Sequence, residues 1–447
     1  MHARHALASS VLPALLLLTL LISIAVTLLV PSSPSRRRLP FFRTADPAPA
    51  PQLVADDASG GTARAGGCDY SDGEWVRDDP ATTAAAYGED CPFLDPGFRC
   101  ASNGRKDTSF RHWRWQPRGG SSCRLPKFNG SEMLERSRNG RIVFAGDSIG
   151  RNQWESMLCM LASAVPPDAA NGTTSRRIYE RSGKPLSRHR GYLSMVFADY
   201  NLSVEYYRAP FLVLLDRFDN SSNSTVRARG AVRLDALPRH AARWAGADVI
   251  VLNTGHWWNP HKTIKSGNYF MVGDRFNVTT DVGEAFKLSM ETVKRWAGTT
   301  ARLANPNGHV FFRSFSPSHY GGGGINGTTN KTWDTGGSCA GHRDPAASSN
   351  GGGESDRSSW MMEAMGVSSG TKEKKGDIVL LNVTYMTGLR RDGHPSRHRE
   401  PGTPPGAPED CSHWCLPGVP DAWNQLLYAQ LLSMGYDARK KRSNKST

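Results

Sequence analysis

From residue 140 onward, short apolar runs that stop at polar residues alternate with stretches of helical period. Residues 142–145, 249–252, 310–312 and 378–381 read as buried strands. Helical spacing appears at Trp154, Met157, Leu158 and Leu161, then over residues 285–296, and finally over residues 422–434. Strands that are apolar throughout are buried on both faces, and their alternation with helices predicts an α/β fold with a mostly parallel sheet. Such sheets place ligands at the carboxyl ends of their strands. Three of the four runs lead there into residues that carry chemistry. Ser148 follows the first, Asn253, Thr254, Gly255 and His256 follow the second, and Ser316 and His319 lie beyond the third.

The N-terminus has a different pattern. Residues 11–30 carry no charge and are dominated by Leu, Ile, Val and Ala. A helix of that length rises about 30 Å, the thickness of a bilayer's hydrocarbon core. The run predicts a transmembrane signal anchor behind a cytoplasmic tail of residues 1–10; the alternative is a cleaved signal peptide, whose apolar core is shorter. Residues 31–66, rich in Pro, Ala, Ser and Gly, read as a stem. Residues 67–139 hold Cys68, Cys91, Cys100 and Cys123 among many aromatics, and predict a loop-rich segment stapled by disulfides. Residues 140–436 carry the α/β pattern, and residues 437–447 form a basic tail. The stretches "GGGGINGTTNKT" and "SSNGGGESDRSS" read as surface loops.

The side of the membrane follows from two conflicting signals. Arg36, Arg37 and Arg38 follow the span, which by the positive-inside rule favours a cytosolic C-terminal side. Against this stand ten N-x-S/T sequons, at Asn129, Asn171, Asn201, Asn220, Asn223, Asn277, Asn326, Asn330, Asn382 and Asn444, all beyond the span. Eight cysteines, the other four being Cys159, Cys339, Cys411 and Cys415, suit a disulfide framework in an oxidising compartment. The lumen is the consistent reading. There the net charge of +14 no longer points to nucleic acid. An acidic, uronic-acid-bearing polysaccharide remains open as a partner, beside a merely solvated basic surface and a tail that alone holds five of the positive charges.

Gly146-Asp147-Ser148 sits where a strand gives way to a helix. That position suits a nucleophile presented above a sheet, and equally a helix N-cap. A serine nucleophile needs a base. His189, His240, His342, His394 and His398 lie in Arg- and Gly-rich loops and default to a solvated surface role. His256 and His319 sit at strand ends. The best candidate is His413 in "EDCSHWCLPGVPDAWNQLL", because Asp410, three residues earlier, is placed to bond Nδ1–H and leave Nε2 as the base. From spacing alone, Asp410 could equally cap a turn. Cys411, His413 and Cys415 also raise a zinc site, which an oxidising lumen and the lack of paired C-x₂-C spacing disfavour; no metal is assigned.

"GDSIGRNQWESMLC", "LNTGHWW", "RSFSPSHY…WDTGGSC" and "DCSHWCLPGVPDAWNQLL" together resemble the plant trichome birefringence-like family, polysaccharide O-acetyltransferases related to the SGNH/GDSL esterases. The resemblance spans roughly residues 67–436. It implies a single-pass Golgi protein with its catalytic domain in the lumen, a three-layer α/β/α sandwich with a smaller disulfide-stapled lobe, and double displacement through an acetyl-serine. It matches Ser148, Asp410 and His413 to the family's catalytic residues. It also implies four disulfides, Cys68–Cys123, Cys91–Cys159, Cys100–Cys415 and Cys339–Cys411. The segment between Tyr320 and Trp333 is longer and richer in glycine than the family pattern, and Met160-Leu161 replaces a commoner sequence after Cys159.

On this reading Ser148 attacks an acetyl carbonyl, His413 takes its proton and Asp410 stabilises the imidazolium. Gly146, Asp147, Arg151, Asn253 and His256 are the candidate oxyanion and substrate residues, with Asn253 donating beside the Ser148 N–H. No bound cofactor is expected; acetyl-CoA or another acetyl donor is the co-substrate and a wall polysaccharide, xylan first, is the acceptor. Three rival readings remain. One is an acetyl esterase with the same triad, and another a transferase for xyloglucan, mannan or pectin. The third is a non-catalytic module that stacks sugars on Trp257, Trp258 and Trp414.

Overall fold

A computed structural model describes residues 68–78, 85–119, 123–166, 177–187, 190–217, 228–321, 337–346, 363–364 and 378–441. The expected membrane span, the stem and the two glycine-rich insertions (apart from Gly321) lie outside these residues. So do the sequons at Asn171, Asn220, Asn223, Asn326, Asn330 and Asn444. Among the described residues, no helix is long and apolar enough to cross a membrane.

The N-terminal segment contributes β1 (Gly73–Arg77) and β2 (Trp113–Pro117), an antiparallel pair. Helix α1 (Gly130–Arg136) is capped by Asn129. Next come β3 (Arg141–Gly146), α2 (Ser148–Ala162), β4 (Ile178–Glu180), β5 (Tyr192–Phe197) and β6 (Leu202–Arg208). They are followed by β7 (Leu214–Arg217), β8 (Gly230–Arg233), β9 (Val249–Asn253), β10 (Asn268–Val272), β11 (Arg275–Phe276) and α3 (Val282–Trp296). The chain continues through β12 (His309–Arg313), β13 (Val379–Leu381), the short α4 (Thr384–Gly388) and α5 (Val419–Ser433).

Seven strands form the main sheet in the order β13-β12-β9-β3-β6-β5-β4. The pairings from β13 across to β6 are parallel, and β5 and β4 close one edge antiparallel. The expected mostly parallel sheet is therefore present. Alternation along its strands builds two cores. Ile142, Phe144, Val249, Val251, Phe311 and Leu381 pack with Met157, Leu158, Trp423 and Leu427 of α2 and α5 on one face. Val143, Ala145, Ile250, Leu252 and Phe312 pack with Phe286, Met290 and Val293 of α3 on the other. The result is a three-layer α/β/α sandwich.

Two features depart from the apolar-run reading. Strand β6 is buried although it carries Ser203 and Glu205. Arg141 grips both Glu205 oxygens at 2.9 Å, and Ser203 and Tyr207 donate to them at 2.8 and 2.9 Å. A buried carboxylate is tolerated when its lone pairs are filled in this way, so a central strand need not look apolar. The second is a separate four-stranded sheet, β11-β10-β8-β7, made of strands that are two to five residues long and half exposed in places.

The chain order around β3 places the site. From β3 the chain moves to β6 on one side, then crosses back to β9 on the other. That reversal opens a crevice at the carboxyl end of β3, where Ser148 begins α2.

Candidate active site

Ser148 is exposed although Asp147 and Ile149 beside it are buried. Asp147 is the N-cap: its Oδ1 accepts from the N–H groups of Ile149 and Gly150 at 3.0 and 3.4 Å. The cap thus belongs to Asp147, and the Ser148 side chain is left facing solvent at the positive end of a fifteen-residue helix. Asn253, at the end of β9, donates from Nδ2 to Asp147 Oδ1 at 2.6 Å. Its amide is wedged against α2 so tightly that a Cβ on Gly146 or Gly150 would lie 2.0 or 1.9 Å from Asn253 Oδ1. Both positions need glycine for that approach. One Asn253 amide hydrogen is therefore committed to Asp147. Asp147 also bears on Arg313, whose buried guanidinium would otherwise be pulled further down; burial brings it to about 10.

His413 lies on the loop before α5. Its Nδ1 is 2.9 Å from Asp410 Oδ2 and 3.1 Å from Oδ1, and the His413 N–H donates to Oδ1 at 3.0 Å. Burial works against charge on both groups, but each overcomes it through the other. The ring is raised above its ordinary value by Asp410, with smaller contributions from Asp147 and Asp95. The carboxyl is held well below the usual range by His413 and by backbone N–H groups. The bond at Nδ1 leaves Nε2 free to accept a proton.

What carries this loop to Ser148 is Asn152. It lies one turn beyond Ser148 on α2 and is fully buried. Its Nδ2 donates to the Trp414 carbonyl at 3.2 Å, and its Oδ1 accepts the Trp414 N–H at 2.8 Å. From the other side, the N-terminal segment holds the same loop. Leu416 N–H donates to Phe98 O at 2.9 Å, Cys100 is bonded to Cys415, and the Phe98 ring lies 5.5 Å from that of His413. The remaining bridges join Cys68 to Cys123, Cys91 to Cys159 and Cys339 to Cys411. With Cys411 and Cys415 both in disulfides, neither presents a thiolate for zinc.

Arg151 is buried and braces the site: its Nε donates to Glu155 Oε1 at 2.7 Å, and Nη2 lies 3.7 Å from Asp95 Oδ2. Burial pushes the Glu155 carboxyl up to about 7 against the pull of Arg151. His256 is half-buried, with Nε2 2.9 Å from Ser316 O and its ring against Phe315. His319 has both nitrogens engaged, Nε2 with Gly388 O at 3.0 Å and Nδ1 with His394 Nε2 at 2.6 Å. That removes it as a rival base.

His394 corrects the surface role expected from its Arg- and Gly-rich loop. It is 2% exposed, and its Nδ1 lies 2.6 Å from the His413 carbonyl oxygen. Of the three tryptophans considered for sugar stacking, Trp258 and Trp414 are buried and only Trp257 is partly exposed. The sequence pattern does not by itself mark Asn152, Asp95, Phe98, Arg313 or His394 as site residues. Asn152 alone left a readable signal, its four-residue spacing from Ser148.

Residues 125–430 match the GDSL/SGNH-like acyl-esterase family found in Pmr5 and Cas1p, and residues 66–121 match the PMR5 N-terminal domain. The chain is 47% identical over 379 residues to protein trichome birefringence-like 9 of Arabidopsis thaliana, covering 83% of this chain and 84% of that one. It is 39% identical over 373 residues to trichome birefringence-like 6 of the same plant, covering 82% and 70%. It is 36% identical over 383 residues to a protein named "Probable xylan O-acetyltransferase 9" of Oryza sativa subsp. japonica, covering 81% and 77%.

Proposed function

Because the chain belongs to the GDSL/SGNH-like acyl-esterase family and its trichome birefringence-like branch, we propose that it is a polysaccharide O-acetyltransferase acting through Ser148, His413 and Asp410. The observation that carries this reading is the Asn152 clamp, which ties the loop of the Asp410–His413 pair to the helix headed by an exposed serine. Ser148 Oγ attacks the acetyl carbonyl of acetyl-CoA or another donor, and its proton passes to His413 Nε2. The Ser148 N–H, and the second Asn253 amide hydrogen, steady the oxyanion. Collapse of the intermediate returns the proton to the departing donor group and leaves acetyl on Ser148. A sugar hydroxyl then gives its proton to His413 and attacks the ester, and Ser148 leaves with that proton.

Xylan is the acceptor we propose, on the strength of the rice relatives' names. A sugar platform is available in Trp257, partly exposed beyond β9, with Lys262 Nζ 5.3 Å from its ring centroid. We place the protein in the Golgi membrane, anchored by residues 11–30 with the catalytic domain in the lumen; the exposed sequons Asn129, Asn201 and Asn277 support that side. The test is purified protein with acetyl-CoA and deacetylated xylan, xyloglucan, mannan and pectin oligomers. Acetyl on xylan alone is expected. Acetate release without acetylation of any oligomer would make it an esterase.

A further inference from the structure

Behind the catalytic loop, two histidines are strung between two backbone carbonyls. The series runs Gly388 O, His319 Nε2, His319 Nδ1, His394 Nε2, His394 Nδ1, His413 O, with contacts of 3.0, 2.6 and 2.6 Å. A carbonyl oxygen only accepts, so both terminal contacts need an N–H on the ring. The contact between the rings needs one more. Two neutral imidazoles carry two N–H protons, so one of the three contacts would set lone pair against lone pair. We propose that His319 and His394 together hold three ring protons, and that the extra proton keeps His394 donating to the His413 carbonyl, making the pair positioning residues for the base.

The surroundings bear on that charge from every side. The His394 ring lies on the face of Trp414, centroids 4.0 Å apart and planes tilted by 30°, which is the arrangement that attracts a cation to an indole. Asp410 also favours the charge on His394, while His413 opposes it. Arg391 and His342 oppose it at His319. Arg105, from the N-terminal segment, donates to the His394 carbonyl at 2.9 Å and adds positive charge. Burial opposes it most, pulling both rings down. Against burial stand three hydrogen bonds, of which one is lost outright if the proton leaves. When solvent takes it, one of the three contacts becomes repulsive, and the pair that braces the His413 carbonyl no longer holds this arrangement.

The inference rests on His413 being the base, and it predicts a second titration distinct from that of His413. Full-length protein should show kcat rising with pH as His413 becomes neutral, then falling as the pair loses its third proton. In His319→Gln, one amide nitrogen supplies two hydrogens, to Gly388 O and to His394 Nε2, so three contacts are filled with no extra proton. That variant should lose the alkaline limb. His394→Phe keeps the stack on Trp414 and removes both donors; kcat should fall about 10- to 100-fold at every pH, with KM within about twofold. An alkaline limb shared by wild type and His319→Gln, no alkaline limb in wild type, or an unchanged kcat in His394→Phe would overturn the proposal. If the variants do not fold, full-length wild-type protein labelled with ¹⁵N-histidine decides at pH 8. Three protonated nitrogens on the coupled rings are expected, and two overturn it. That count holds or fails independently of any role for His413.

Discussion

Asn152→Ala tests how the base is held over the nucleophile. The substitution removes two hydrogen bonds, of 2.8 and 3.2 Å, and leaves the N–H and C=O of a fully buried Trp414 without those partners. Each buried backbone group stranded in this way costs about 1–3 kcal/mol, so a loss of about 2–6 kcal/mol is expected for the two. At about 2 °C per kcal/mol for a large domain, Tm should fall by about 4–12 °C. Turnover should fall further than stability implies, by about 10- to 100-fold at a temperature where the protein is folded, because a small displacement of His413 spoils its approach to Ser148. Asn152→Asp separates the two bonds: it still accepts from Trp414 N–H but sets a carboxylate oxygen against the Trp414 carbonyl. Thermal unfolding by circular dichroism and acetyl transfer at fixed pH supply the readings. Wild-type turnover in folded Asn152→Ala would refute the idea that this clamp places the base.

Three further outcomes follow from the same geometry. Asp410→Asn removes the charge that raises His413, so the acid limb of kcat should move to lower pH while turnover falls by roughly 10³-fold or more. For stability, the raised ring helps below its unfolded value and the depressed carboxyl helps above its own. The variant should therefore lose most between about pH 4 and 6.5, as urea melts would show. Replacing Cys100 and Cys415 by Ser opens a bridge spanning 315 residues and frees the loop on its Phe98 side. About 5 kcal/mol of stability should go in the chain-entropy model, and kcat with it, measured against the unreduced protein. Asn382 should carry no glycan, because its side chain bonds Ser314 and Ser71 and its Thr384 is held by Phe315 O; glycopeptide mass spectrometry should find the exposed Asn129 or Asn277 occupied instead.

The sandwich was legible where its strands are apolar on both faces, as in β3, β9 and β12, and where helices keep a clear period, as in α2 and α5. It was not legible at β6, where Arg141 lies more than sixty residues from the Glu205 it neutralises. Nor was it legible in the second sheet, whose strands are short and half exposed. At the site, Asp410 and His413 could be read as a pair because three residues separate them. Asn152 and Trp414 lie 262 residues apart, and Arg105 and His394 lie 289 apart, so only the fold joins them. His394 misled for a physical reason: Arg390 and Asp392 around it look like a solvated loop, yet they are buried as an ion pair at 2.8 Å.

The central claim is that acetyl passes through Ser148 with His413 as base. Purified protein incubated with acetyl-CoA in the absence of acceptor, quenched in acid and digested, gives the direct reading by mass spectrometry of the peptide that contains Ser148. One acetyl group on Ser148 is expected in the wild type, discharged when the acceptor oligomer is added, and no acetyl in His413→Ala. Acetyl transfer to oligomer by Ser148→Ala at the wild-type rate, or acetyl on Ser148 that the acceptor cannot remove, would contradict the account.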